Sequence, residues 1–143
     1  MTRRRPSERS RPDAMFEEHR ALREIVARLR SARHRKELTA LLAEFRDAAR
    51  DHFTMEEASD GFFANVTAAA PRHAVVLAEL RAEHATLLVD VDWLIARAGS
   101  CAEPAFADVL ERVQGLATRL ERHEERENEV LQDVMNTDLG GLG

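Results

Sequence analysis

Apolar residues recur along this chain every three or four positions, and four such stripes can be traced between breakers. Phe16, Leu22, Ile25, Val26 and Leu29 form the first, and Leu38, Leu41, Leu42, Phe45 and Met55 the second. Leu77, Leu80, Leu87, Leu88, Val91 and Leu94 form the third. Phe106, Val109, Leu110, Val113, Leu116, Leu120, Val130, Leu131 and Val134 form the fourth. Recurrence at this spacing is what a helix shows when it buries one face. Pro12-Asp13 offers a start with Asp13 as N-cap, and the first helix then runs to about residue 33. The second extends from 37 to about 59, where Gly61 and an irregular stretch over 62–70 end it. Pro71 fits the first turn of the third, which reaches 97 before Gly99-Ser100, and Pro104 opens the fourth, which ends near 135. Gly115 falls inside that last helix, where it costs about 1 kcal/mol relative to Ala unless a neighbour needs the space.

Four helices joined mostly by short connections predict an all-α, up-down-up-down four-helix bundle over residues 13–135. A basic disordered tail is expected at 1–12 and a flexible one at 136–143. Composition agrees with this picture, being rich in Ala and Leu and poor in Gly and Pro. No apolar run approaches the ~18 residues of a membrane span, so no membrane role is expected. The single cysteine, Cys101, cannot close an intrachain disulfide, and no apolar signal segment follows the basic start. A cytoplasmic location is therefore expected. Residues 1–12 carry five Arg and one Glu, so the remainder of this chain of net charge −5 is strongly acidic. An acidic body is a poor surface for phosphate, and nucleic acid is not expected as a partner.

The polar residues that interrupt the stripes carry the chemistry. His19 falls three after Phe16 and three before Leu22. His52 falls seven after Phe45, with Glu56 one helical turn further on. His84 is four after Leu80, and His123 is three after Leu120 with Glu127 at i+4. Each helix thus points one histidine at the core, and two helices add a carboxylate. A lone histidine in an apolar seam is ordinarily a satisfied core residue; four in four seams, with two carboxylates, form a different pattern. Buried unpartnered, such groups would cost several kcal/mol apiece, whereas a bound cation turns all of them into ligands. Imidazole with carboxylate suits Fe, Zn or Mn rather than Ca or Mg. His34 and His73 lie in or near connections and read as surface residues, and Glu57, rotated about 100° from Glu56, is expected to support a ligand from outside or to be solvated rather than to bind the cation. Trp93 is half a turn out of phase with His84, so it should lie away from the cation, as cover over a neighbouring helix or else against a flanking loop or a second subunit.

These stretches resemble the hemerythrin-like (HHE cation-binding) family: Glu18-His19-Arg20-Ala21-Leu22, His52-Phe53-Thr54-Met55-Glu56-Glu57, Glu83-His84-Ala85-Thr86-Leu87, and His123 through Glu127 to Leu131. The resemblance covers residues ~14–135 with all four motifs in order. It implies a non-haem centre of two Fe ions inside the bundle, with Glu56 and Glu127 bridging and His19, His52, His84 and His123 as terminal ligands. The oxygen-carrying members have a His-x-x-x-His pair on the third helix, whereas the partner positions of His84 are here Leu80 and Leu88. Their fourth-helix carboxylate is an Asp at i+5, where this chain has Glu at i+4. Both departures are similar to the hemerythrin-like domain of an iron-sensing ubiquitin ligase subunit, but the extra Glu that follows the second-helix His there is Phe53 here. The missing ligand has no evident replacement in the sequence.

One fewer protein ligand leaves an open position that admits O₂, peroxide, NO or a substrate. The function expected from the resemblance is therefore binding of, or reaction with, O₂ or a related small oxidant, as a redox enzyme or sensor rather than a simple carrier. The alternative is an iron- or oxygen-responsive binding module, or an iron-handling protein without catalysis. The absence of Tyr argues against a tyrosyl-radical generator. The Gly-rich end, 138–143, reads as a frayed terminus; its Leu/Gly character also distantly resembles the short C-terminal peptides that load cargo into encapsulin shells.

Overall fold

The computed structural model describes residues 11–139. Its elements are α1 (Arg11–Ser31), α2 (Arg35–Glu57), α3 (Phe62–Ala69), α4 (Ala74–Ser100) and α5 (Glu103–Val134), and a π-helical turn, Met135–Leu139, follows α5. The four long helices α1, α2, α4 and α5 alternate in direction and close a ring in which each packs on the next and α5 returns to α1. This is the up-down-up-down bundle that the stripes predict.

Local differences have identifiable causes. Helix α1 begins at Arg11, two residues before Asp13, and so takes Pro12 into its first turn, where a missing backbone N–H has no helical partner to lose. The stretch expected to be irregular contains α3, an eight-residue helix whose Phe63 and Val66 are buried. Tertiary burial supplies what a helix this short lacks in isolation. Met55, assigned to the second stripe, is 54% exposed. Ten residues after Phe45, it lies about 80° off that stripe at ~100° per residue. Helix α4 continues through Gly99 to Ser100. The basic tail expected at 1–12 falls outside the described residues except for its last two positions, and the Gly-rich end from 140 onward falls outside them as well.

Side chains tie the far end of the bundle together. The Arg35 guanidinium donates to the carbonyls of Ala98 and Cys101, groups that the end of α4 leaves without helical partners, and it stacks on Phe106. Arg30 of α1 donates to Gln114, Thr118 and Glu121 of α5. Trp93 is half-exposed under the guanidinium of Arg112.

The core is split in two. A large cluster runs through Leu22, Leu42, Phe45, Phe53, Leu87, Val113 and Leu120. A smaller one joins Phe63 and Val66 of α3 to Leu77, Leu80, Val130 and Val134. Fully burying one such side chain contributes about 1.5–3 kcal/mol, so both layers are strongly held. On α4 and α5 the chain passes from one cluster to the other across His84 and across His123 to Glu127. A polar layer therefore lies between two dry ones.

Candidate metal centre

The polar layer contains all six residues expected from the sequence. His19 comes from α1, His52 and Glu56 from α2, His84 from α4, and His123 and Glu127 from α5; each is at most 4% exposed. Their ligand atoms form two groups. His19, His52, Glu56 and Glu127 make one, and Glu56, His84, His123 and Glu127 the other; within each, the atoms lie within 4.8 Å of one another. Both carboxylates belong to both groups. His34 and His73 belong to neither: His34 is exposed, and His73 pairs with Asp133 at 2.7 Å.

Every imidazole is anchored from behind. His52 Nδ1 lies 2.6 Å from Glu18, His84 Nδ1 3.1 Å from Glu57, His123 Nδ1 2.6 Å from Glu83, and His19 Nδ1 3.2 Å from Asn128. An ionised carboxylate can only accept, so Nδ1 is assigned as the donor, and Nε2 faces inward, where displacing any proton on it frees a lone pair for a cation. The partners pass around the bundle in one sense: α1 supplies His52 on α2, α2 supplies His84 on α4, α4 supplies His123 on α5, and α5 supplies His19 on α1. Three of these links are carboxylates and the fourth is an amide. Two of the carboxylates are themselves held by arginine, Glu83 by Arg126 at 2.6 Å and Glu57 by Arg81 at 3.0 Å. Outer partners of this kind fix ring orientation and tautomer at metal sites.

The inward atoms fit cations better than they fit each other. The two Nε2 atoms of His84 and His123 stand 3.1 Å apart, close enough for one proton or one cation to be shared between them. Glu56 Oε1 approaches His52 Nε2 at 3.1 Å and His84 Nε2 at 3.3 Å, and Glu127 contacts His123 and lies 3.5 Å from His19 Nε2. Close approach is not hydrogen bonding here, because the directions are wrong. His19 Nε2, His52 Nε2 and both oxygens of Glu56 and of Glu127 are buried without a hydrogen-bond partner. Each such atom costs about 1–3 kcal/mol. Two imidazole nitrogens and two carboxylates per group form a donor set for a first-row transition metal or zinc.

Taken by themselves, the protein groups titrate abnormally. Burial works against a charge on His52, yet Glu18 and Glu56 outweigh it and push the imidazole up to about 10. His84 is raised to about 9 against the same burial by Glu127, Glu56 and Glu57. Burial and Glu127 raise Glu56, whereas Glu127 is held well below the usual carboxylate range because Glu56 and the surrounding imidazoles of His123, His19 and His84 overcome its burial.

Aromatic rings wall the layer. Phe53 stacks on His84 with centroids 3.8 Å apart and planes 6° from parallel, and Phe63 of α3 lies at 5.3 Å from the same imidazole. Phe53, the departure noted in the sequence, thus fills space beside the centre with an apolar surface. One further residue lies close by that sequence reasoning missed. Glu124 is 3% exposed, both its oxygens lack a partner, and burial pushes it up to about 7 against the attraction of His19, His52 and Arg23.

The model of the hemerythrin HHE cation-binding domain matches residues 11–134. No curated protein and no solved structure matches the chain. Among the described residues, no helix is long and apolar enough to cross a membrane. The match spans the whole bundle and implies a metal-binding site with His/Glu ligand clusters, the kind of cluster that the polar layer presents. The chain belongs to the hemerythrin HHE cation-binding domain family.

Proposed function

We propose that this protein holds two non-haem iron ions and binds or reacts with O₂ or a related small oxidant such as peroxide or NO, as a redox enzyme or a sensor rather than a simple carrier. The observation that carries this reading is that the two four-residue groups share Glu56 and Glu127. His19 and His52 would hold one ion, His84 and His123 the other, and the two carboxylates would bridge. A bridged iron pair supplies Lewis acidity and electron transfer at one buried place.

The chain's own residues supply the rest. Glu18, Glu57, Glu83 and Asn128 keep the Nδ1 protons on the outside, so that every Nε2 can present a lone pair to a cation. Phe53, Phe63 and the apolar layers on either side exclude water from the His84 half. Leu80 is buried and Leu88 partly so. Neither offers a second imidazole to the His84 half. Two imidazoles and two shared carboxylates per ion leave coordination positions for an exogenous ligand.

Metal analysis of anaerobically purified protein, followed by titration with O₂, tests this. The expected result is two irons per chain and a charge-transfer band that forms with O₂ and does not reverse on degassing, or that decays as peroxide is consumed. A band that vanishes on degassing would mean carriage. Bound iron that is silent toward O₂, peroxide and NO would leave only a metal-ordered binding module and refute the proposal.

A further inference from the structure

The ring of outer partners has one neutral link, Asn128 on His19, and beside that link α5 carries a buried carboxylate that nothing satisfies. Glu124 precedes Asn128 by four residues and therefore shares its face of α5. That face is the one packed on α1: Asn128 bonds His19, and Glu121, one turn earlier, bonds Arg30. The step from His123 to Glu124 turns about 100° around the helix. It carries the side chain away from the His84/His123 half and toward the His19/His52 half.

A purely structural glutamate in this place would be expected to recruit a cation from the protein. Arg23 is available on α1, yet it is exposed and makes no ion pair among the described residues. The opposite half shows how the protein neutralises carboxylates that serve only from outside, since Glu57 and Glu83 each carry an arginine. Glu124 carries none. Its two oxygens are also the only buried, partnerless side-chain oxygens among the described residues that belong to neither ligand group.

We propose that Glu124 is a further metal ligand of this centre, serving the position held by His19 and His52. The inference rests on the two-cation reading above. Its carboxylate lies outside the ring of inner atoms, so the assignment requires rotation about its side chain to bring it to the cation. The two positions are then unequal: one takes two imidazoles, two shared carboxylates and a carboxylate of its own, and the other lacks that last group. Glu124 thus answers the sequence's missing ligand from a different helix and on the other half of the centre.

Anaerobic titration of the metal-free chain with Co(II), followed by its d–d absorption, tests the assignment. Wild type should bind two ions in distinguishable steps. Glu124→Gln should weaken one step at least tenfold and shift its spectrum toward lower coordination, leaving the other step unchanged. His52→Ala should strike the same step and His84→Ala the other. Glu124→Met, which removes the polar group altogether, should behave as Glu124→Gln does. Both variants should match or exceed wild type in thermal midpoint without metal, because an unpartnered buried carboxylate has gone. Both steps unchanged in Glu124→Gln and Glu124→Met, or both weakened equally, would overturn the assignment while leaving the two-cation reading intact. So would loss of the step that His84→Ala removes. A wild-type chain that takes one ion or none would instead overturn the two-cation reading, and this inference with it.

Discussion

Replacing Glu83 by Gln asks whether the outer carboxylates, and not the inner residues alone, set the affinity of the centre. Glu83 Oε2 lies 2.6 Å from His123 Nδ1, and its Oε1 lies 2.6 Å from Arg126. Gln keeps the length and shape of the side chain but turns a charge-assisted bond into a neutral one about half as strong. Hydrogen bonds to charged groups contribute about 1.5–3 kcal/mol and neutral ones about 1 kcal/mol. The expected loss is thus about 0.5–2 kcal/mol, or roughly two- to thirtyfold in affinity for the cation on His123. That range overlaps the ten- to hundredfold typical of outer partners at metal sites. Glu79→Gln is the matched control: Glu79 also binds Arg126, at 2.5 Å, but makes no contact with a histidine. Competition with a chromophoric chelator for Co(II) measures both variants, with helical circular dichroism as a check on folding. Wild-type affinity in Glu83→Gln, or the same loss in Glu79→Gln, would refute the reasoning.

Three other outcomes follow from particular positions. A Cβ at Gly61 would stand 2.1 Å from the carbonyl oxygen of Met55 and 2.8 Å from that of Glu56; Gly61→Ala should cost about 1–3 kcal/mol in urea unfolding and weaken cation binding through Glu56, and an unchanged midpoint would contradict that close approach. A Cβ at Gly115 meets nothing within 4 Å, so Gly115→Ala should raise stability by about 0.5–1 kcal/mol with unchanged metal content, and a lowered urea midpoint would show that the position needs glycine. Without metal, His52 and His84 sit at about 10 and about 9 against an ordinary 6.5. Raised histidines stabilise the fold fully below 6.5 and lose that contribution as pH climbs through the raised values. The urea midpoint of the chelated chain should therefore fall as pH rises from about 6.5 to about 10, and a flat or rising profile there would count against these pairings.

The inner residues were legible because they break a period. His19, His52, His84 and His123 sit where apolar residues are due, and Glu56 and Glu127 repeat one turn later, so helix phase alone directs them inward. Among the outer partners only Glu57 carries a mark, its place beside Glu56. Glu18 and Glu83 each precede a seam histidine by one residue, about 100° around the helix. In sequence that is indistinguishable from the edge of a solvated face. Only the packing of α1 on α2 and of α4 on α5 shows that each reaches the histidine of the next helix rather than its own neighbour. Glu124 was hidden differently, in the charged run Glu124-Glu125-Arg126-Glu127, where α1 covers one member and leaves Glu125 exposed. Helix α3 escaped notice because eight residues between Gly61 and Pro71 are too few to display a stripe, and its stability derives from Phe63 and Val66 docking on α4 and α5.

The same circuit of contacts bears on why the bundle tolerates a polar layer at all. Among the described residues, eight buried side-chain atoms in and beside the centre lack hydrogen-bond partners. At about 1–3 kcal/mol each, their combined cost is of the same order as the whole stability of a domain this size, about 5–15 kcal/mol. Apolar residues in the layer would avoid that cost, as Leu80 does one turn from His84. Retaining the histidines is consistent with a ligand that the folded state binds and the unfolded state does not, since such a ligand adds stability in proportion to the logarithm of its concentration over its dissociation constant. The outer links make the arrangement specific as well as stable. Each helix supplies its neighbour's histidine in a single sense around the bundle. Slipping one helix along its axis would therefore break two links at once, the one it supplies and the one it receives. Register, ligand geometry and cation affinity thus depend on the same few contacts.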